Sequence, residues 1–353
     1  MPSFWETEPV CKPTENMTNV ESLCDIKKMP ILLPRNMSFC KLNINEDIDD
    51  ICSFLRQHYK SKTLFCKELI MFICDNYDHL LSLSIKKDSK LIAYVMVCLP
   101  TFQLQTKEYK APYINIMCVH SDYRKQSLMQ KLISELPNYL DYSSAMFVTN
   151  TQIDAKPFLM STCYQKVINP KKVYKSGLLK VDIDVKNFMK YNELPKEPDV
   201  VITKSNVIDS SHLYELYCKY IDKYNIHQKY SLDHFTRLLT NSIVECFTIG
   251  SADKYDFIMV YKTILRCDND DLVRYNVFMY TSLYNTSYMI LKNLSIALQS
   301  SCDVISVCGN YENDIHLMDL KFAQTNDKYY WFLYNKKILE QKELHTAVTP
   351  IIS

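Results

Sequence analysis

The chain has 353 residues, 47% of them hydrophobic. That is enough for a large core and more than one domain normally uses, so two lobes are expected. Lys plus Arg number 41 and Asp plus Glu 40, for a net charge of +1, which removes any global basic surplus for nucleic acid and any acidic surplus of a solvating, disordered chain. Three glycines (Gly177, Gly250, Gly309) leave no G-x-G-x-x-G or G-x-x-x-x-G-K-[ST] loop, so Rossmann and P-loop chemistry are excluded.

The first 45 residues, with Pro2, Pro9, Pro13, Pro30 and Pro34, read as an irregular arm wrapping a domain. They lack the basic stretch and apolar run of a secretory leader. Ile48, Ile51, Cys52 and Leu55 fall at helical spacing and predict a helix over 45–59, and 64–74 reads as a second. Residues 80–85 and 90–99 read as strands joined by the polar turn Lys86-Lys87-Asp88-Ser89. A strand over 113–119, a helix over 124–140 and a strand over 146–151 follow. Where a strand opens into a helix, free N–H groups at the helix start suit an anionic ligand.

Asn192 to Pro198 reads as a linker, after which the coarse order repeats. Helices are expected over 212–220 and 233–240, strands over 246–250, 257–265 and 275–282, then a helix over 289–298 and a strand over 303–307. Two similar successions predict a pseudo-duplicated α/β protein.

Several chemistries find no support. The fourteen cysteines contain no C-x-x-C pair and read as reduced, mostly buried thiols. The eight histidines show no H-E-x-x-H and no zinc spacing, so no metal site is expected. G-x-S-x-G is absent. The longest apolar stretch, 91–99, is far short of the roughly 20 residues that span a bilayer. A soluble, cytoplasmic, monomeric protein without a transmembrane segment and without a nucleic-acid partner is the expectation.

Phe4-Trp5-Glu6-Thr7-Glu8-Pro9-Val10 resembles the N-terminal signature of N-myristoyltransferases. Ile114-Asn115-Ile116-Met117-Cys118-Val119-His120 is similar to the family's I-N-F-L-C-V-H strand, and Ile168-Asn169-Pro170-Lys171-Lys172-Val173 to its L-N-P-K-K-L. Leu194-Pro195, Leu320-Lys321-Phe322 and Phe332-Leu333-Tyr334-Asn335 follow in the family's order. Each motif is moderately specific alone; together they cover nearly the whole chain.

The resemblance implies two fused acetyltransferase-like (GNAT-like) halves with pseudo-twofold symmetry and a saddle-shaped mixed sheet. It implies an arm over 1–45 covering the acyl-CoA site, a half over 46–185 binding myristoyl-CoA, and a half over 186–353 binding the acceptor peptide. The implied activity is transfer of myristate from myristoyl-CoA, a co-substrate and not a resident cofactor, to the N-terminal glycine amine of proteins. By position the backbone N–H groups of Ile116 and Met117 form the oxyanion hole. The resemblance further implies that Asn115 and Thr149 would help bind and deprotonate the amine and that the carboxylate of Ser353 would be the general base, a role that burial of the carboxylate would favour. Phe4, Trp5, Ile114, Cys118 and Val119 would contact the acyl-CoA, and Arg124, Lys125, Gln126, Ser127, Leu128 and Met129 would hold its pyrophosphate.

The pattern also departs from the family's. No acid occurs in His58-Tyr59-Lys60-Ser61-Lys62-Thr63, where the family carries an acidic run, so preference for basic peptides is expected to be weak. Gln165 replaces a histidine, and Ala323-Gln324-Thr325-Asn326-Asp327 replaces a glycine-rich segment. Two other readings of the same residues stay open: an acyl-CoA N-acyltransferase of different chain length or acceptor, and a non-catalytic acyl-binding descendant.

Overall fold

The computed structural model describes residues 4–15, 22–26, 28–104, 106–179, 184–195, 197–204, 209–251, 254–309, 314–338 and 346–347. Its first elements are α1 (Phe4–Thr7), β1 (Met37–Leu42), α2 (Ile48–His58), α3 (Lys67–Tyr77), β2 (His79–Lys87), β3 (Lys90–Cys98), β4 (Thr101–Leu104), β5 (Lys107–Lys110), β6 (Tyr113–Val119), α4 (Leu128–Tyr139), β7 (Ala145–Thr149), β8 (Leu159–Val167), α5 (Pro170–Ser176) and α6 (Val185–Tyr191). Then come β9 (Ile202–Lys204), α7 (Ser210–Ile221), β10 (Ile226–Lys229), α8 (Leu232–Leu239), β11 (Val244–Ser251), β12 (Lys254–Leu265), β13 (Leu272–Tyr280), α9 (Ser287–Ala297), β14 (Val304–Cys308), α10 (Asp314–Asp319), β15 (Ala323–Tyr334) and β16 (Thr346–Ala347).

Local sequence accounts for most of these. In α2 the apolar positions Ile48, Ile51, Cys52 and Leu55 are buried on one face, with Asp49 and Asp50 in the first turn and Arg56 and His58 in the last, signs that complement the helix dipole. The β2–β3 hairpin turns at Asp88 and Ser89, both with positive φ (47° and 67°), as a tight two-residue turn requires. The first 45 residues are more regular than expected: Met37–Leu42 pairs antiparallel with β2, because the alternating strand can add to that open edge.

Twelve strands form one sheet in the order β1-β2-β3-β6-β7-β15-β8-β14-β13-β12-β11-β9. Read inward from either edge, the pairings follow one rule. β1-β2-β3-β6 are antiparallel neighbours, β6 is parallel to β7, and β7 is antiparallel to β15. β9-β11-β12-β13 are likewise antiparallel, β13 is parallel to β14, and β14 is antiparallel to β8. The two runs meet at the β15–β8 pair. This is the pseudo-twofold α/β architecture, with α4 and α9 as the equivalent crossovers. The last strand of each run is exchanged: β8, from the first half of the chain, completes the second run, and β15 completes the first.

A large core packs α2, α3, α7, α8 and α9 against the sheet. A smaller one, with Leu83, Val95, Ile114, Leu128, Leu132 and Phe147, lies under α4. A second sheet, β16-β10-β4-β5, packs on the larger core through Phe102, Leu104, Tyr109 and Ile226. Among the described residues no helix is long and apolar enough to cross a membrane.

Candidate functional site

β6 and β7 pair in parallel at only two positions, Tyr113↔Met146 and Ile114↔Phe147, and then diverge. A cleft of about 360 Å³ fills the divergence, lined on one side by Asn115, Met117, Cys118 and Val119 and on the other by Val148, Thr149 and Asn150. Tyr329 of β15, His58, Tyr59, Lys60 and Arg124 complete it. His58, Lys60 and Arg124 give the cleft a basic lining in a chain of balanced charge.

β6 is also bulged here. Its register with β3 shifts between Met96↔Ile116 and Val97↔Ile114, leaving Asn115 as the extra residue. The His120 N–H donates to the Ile92 carbonyl (2.9 Å), which sets the alternation of the ladder. With the register unbroken from Val119↔Ala93 to Ile116↔Met96, the Ile116 amide is turned toward β3 and the Met117 amide toward the open cleft. Of the two expected oxyanion donors, Met117 therefore stands free to act, whereas Ile116 is committed to the ladder. The strand pattern of the sequence could not show this, because the bulge decides the phase.

Among the described residues, the buried polar atoms without a hydrogen-bond partner include Tyr113 Oη, Asn115 Nδ2, Ser161 Oγ and Trp331 Nε1. Tyr113 and Trp331 stack with ring centroids 5.8 Å apart. Buried donors left unpaired are costly and mark a place where a polar ligand is received. The Thr149 hydroxyl donates to the Thr151 carbonyl, so its oxygen faces the cleft as an acceptor. Cys118, although it lines the cleft, has its thiol pushed up to about 12 by burial and is no nucleophile at neutral pH.

At the cleft mouth His58 and His120 lie with ring centroids 3.8 Å apart. Burial, with the charges of His120 and Arg124 adding to it, lowers the pKa of His58. The expected helix over 124–140 begins only at Leu128, a correction with a clear cause: Lys125 and Ser127 have positive φ (67° and 56°). Residues 124–127 are thus a loop ahead of the helix, and Ser127 is its left-handed N-cap without a side-chain bond. Leu128 and Met129 open the first turn of α4, where backbone N–H groups have no intrahelical acceptor. Arg124 is spent differently: Nε donates to the Val119 carbonyl (3.4 Å) and Nη2 to the His58 carbonyl. It clamps the end of α2 to the end of β6, and its charge still lines the cleft. Gln126 lies in the same loop.

Trp5 stacks on Phe147 (4.9 Å, 11° between planes), with Phe4 edge-on to it at 5.0 Å. Trp5 borders a separate apolar hollow of about 50 Å³ with Ile114, Ile133, Leu136 and Phe147, at the apex where β6 and β7 part. The arm is held by Tyr334, whose hydroxyl donates to Glu8 (2.7 Å), and by Asn335, whose N–H donates to the Pro9 carbonyl (2.6 Å). Ser353 lies outside the described residues. Of the tail, Thr346–Ala347 pairs in parallel with Ile226–His227, in the sheet that packs on the larger core.

One juxtaposition missed from sequence is that of Cys163 and Cys308. The two face each other across β8 and β14, and no spacing along the chain signals that.

Residues 16–163 match the family model described as the N-terminal domain of Myristoyl-CoA:protein N-myristoyltransferase. A glycylpeptide N-tetradecanoyltransferase of Drosophila melanogaster is 21% identical over 94% of this chain and 77% of its own length. The crystal structure of Saccharomyces cerevisiae N-myristoyltransferase with bound myristoyl-CoA superposes with a TM-score of 0.85, at 17% identity and covering 98% of each chain. A GCN5-related N-acetyltransferase from Anabaena variabilis shares the fold more distantly (TM-score 0.50, 13% identity, 84% of this chain and 72% of that one). Along nearly its whole length the chain is thus similar to glycylpeptide N-tetradecanoyltransferases, and its residues 16–163 match the N-terminal domain of the N-myristoyltransferase family.

Proposed function

We propose that this chain transfers myristate from myristoyl-CoA to the N-terminal glycine amine of an acceptor protein. The observation that carries the reading is the parted β6–β7 edge, where a free Met117 amide and an unsatisfied Asn115 face one cleft. Acyl transfer needs a polarised carbonyl, a neutral amine and a fixed approach. The Met117 N–H donates to the thioester oxygen, and the amine attacks the carbonyl carbon. The tetrahedral intermediate collapses as the C–S bond breaks, and the extra proton on its nitrogen passes to the departing sulfur, so that the amide forms and CoA leaves as the thiol. The neutral Cys118 thiol leaves direct attack by the amine as the simpler route.

The arriving glycine is an ammonium with a pKa of about 7.7–8.0 and must lose a proton first. In this reading it donates to the Thr149 oxygen and yields a proton to the Ser353 carboxylate, with Asn115 holding the site polar. Support comes from the course of the tail: Ala347 lies in the sheet packed on the larger core, to which Tyr113 and Trp331 with their orphaned donors belong. Six residues then remain, an extended reach of about 20 Å.

The pyrophosphate belongs at residues 125–129, beside Arg124 and His58. The acyl chain belongs at the apex hollow. Trp5, stacked on Phe147, forms one wall of that hollow. Residues 1–45 then act as the cover, 46–185 as the acyl-CoA half, and 186–353 as the peptide half.

The test is transfer to a Gly-initiated peptide from acetyl-, lauroyl-, myristoyl- and palmitoyl-CoA. Myristoyl-CoA should give the highest kcat/KM, and no transfer from any of the four would defeat the reading. Extending the chain beyond Ser353 by a short glycine-serine tag should abolish turnover while leaving myristoyl-CoA binding intact. Full activity of the tagged chain would remove the carboxylate from the mechanism.

A further inference from the structure

Cys163 of β8 and Cys308 of β14 are directly opposed in an antiparallel pair. The next residue along, Gly309, donates its N–H to the Thr162 carbonyl (2.7 Å), which makes 309/162 the hydrogen-bonded pair and 308/163 the non-hydrogen-bonded one. Side chains are closest at such positions, with Cα atoms about 4.5 Å apart, inside the 4.4–6.8 Å range of disulfides. Directly opposed residues point to the same face of the sheet. Two thiols so placed are held at bonding reach by the ladder itself.

The surroundings favour a thiolate on one partner. The Cys163 thiol lies 3.2 Å from the Ser306 hydroxyl. Hydrogen bonding from Cys308, then from Ser306, with the Arg274 guanidinium nearby, holds Cys163 down to about 7 against the opposing pull of burial. Cys308 is correspondingly pushed up, and it is partly exposed where Cys163 is buried. The pair is linked to the cleft through Tyr329, which lines it and whose hydroxyl is pushed up by burial with the nearby sulfurs of Cys163 and Cys308 adding; the Thr325 hydroxyl donates to the Cys163 carbonyl (3.1 Å).

We propose that Cys163 and Cys308 form an oxidisable dithiol, closed by a small peroxide into a cross-strand disulfide that perturbs the cleft through Tyr329. The Cys163 thiolate attacks one peroxide oxygen and the O–O bond breaks, giving a sulfenic acid and, for hydrogen peroxide, water. The Cys308 sulfur then displaces hydroxide from that sulfenic sulfur. In balance, two thiols and one hydrogen peroxide become one disulfide and two waters.

The full chain is treated with a few equivalents of hydrogen peroxide, the remaining thiols are alkylated, and non-reduced peptides are mapped by mass spectrometry. The expected product is the 163–308 cross-linked peptide, two hydrogen masses below the reduced pair and reversed by dithiothreitol. It should form before exposed Cys24 is modified. Cys163→Ser and Cys308→Ser should each eliminate it. Isolated sulfinic acids, disulfides at other cysteines, or oxidation of Cys24 first would overturn the assignment. The mapping does not depend on the proposed activity. As a second readout, oxidation should lower transfer roughly ten-fold, reversibly, since small displacements at a reacting site cost rate heavily. A disulfide at 163–308 with unchanged transfer would remove the link to Tyr329.

Discussion

Asn335 shows how much one residue can carry. It is fully buried, and its φ of 55° lies in the left-handed region that Asn tolerates better than most residues. Its Oδ1 accepts from the N–H groups of Leu23 (3.0 Å) and Cys24 (2.8 Å). Its Nδ2 reaches Ser22 Oγ (3.1 Å) and the carbonyls of Cys24 (2.8 Å) and Ser143 (2.7 Å). The side chain thus pins the arm to the end of β15 and to the loop before β7. Asn335→Ala leaves those partners unsatisfied and puts Ala at positive φ, so a loss of about 3–4 kcal/mol is expected in urea denaturation. Asn335→Asp keeps the shape but removes the donors, so it should also destabilise. A loss below about 1 kcal/mol for Asn335→Ala would mean that the arm is not held there. Sequence drew attention to Asn335 only as the end of a motif. Its work was illegible because all of its side-chain partners lie more than 190 positions away.

Elements were legible where periodicity and turn chemistry agreed. The strand expected over 113–119 has those bounds in the structure, and the turn at 86–89 is centred on Asp88-Ser89. β15 escaped notice because its first six residues, Ala323 to Lys328, are polar or small and largely exposed, so no alternation marks them. β8 escaped because buried and half-exposed positions alternate among Ser, Thr, Cys, Gln and Lys. The start of α4 was misplaced for a related reason. Left-handed residues before a helix are normally announced by glycine, and this glycine-poor chain uses Lys125 and Ser127 instead. Each is strained by about 1 kcal/mol or more. Ser127 makes no side-chain capping bond that a substitution would forfeit. Ser127→Gly should therefore stabilise the fold by about 0.5–1 kcal/mol, read as a raised denaturation midpoint. Destabilisation would show that the loop holds Ser127 by contacts stronger than its strain.

At the scale of the whole molecule, the exchange of β8 and β15 decides how the halves depend on each other. A fragment of residues 1–195 keeps β8 but loses both of its neighbours, β15 and β14, while β7 loses β15. Such a fragment exposes unpaired strand edges and half of a shared core. A fragment of residues 198–353 keeps β15 but loses its partners on both sides. Further ties cross between the halves: the Leu64 N–H donates to the Ile264 carbonyl (2.8 Å), and Arg274 Nη2 donates to Thr63 Oγ1 (2.9 Å). Neither fragment should fold alone, and the intact chain should unfold in one cooperative step. The tryptophans supply the probe. Trp331 belongs to the second fragment by sequence, yet it is fully buried and stacks on Tyr113 of the first. When 1–195 carrying Trp5→Phe is mixed with 198–353, emission should shift to the blue as Trp331 enters the reassembled sheet. Trp331 fluorescence that is already blue-shifted in the isolated second fragment would mean that this half builds its core alone, and that the strand exchange is incidental to stability.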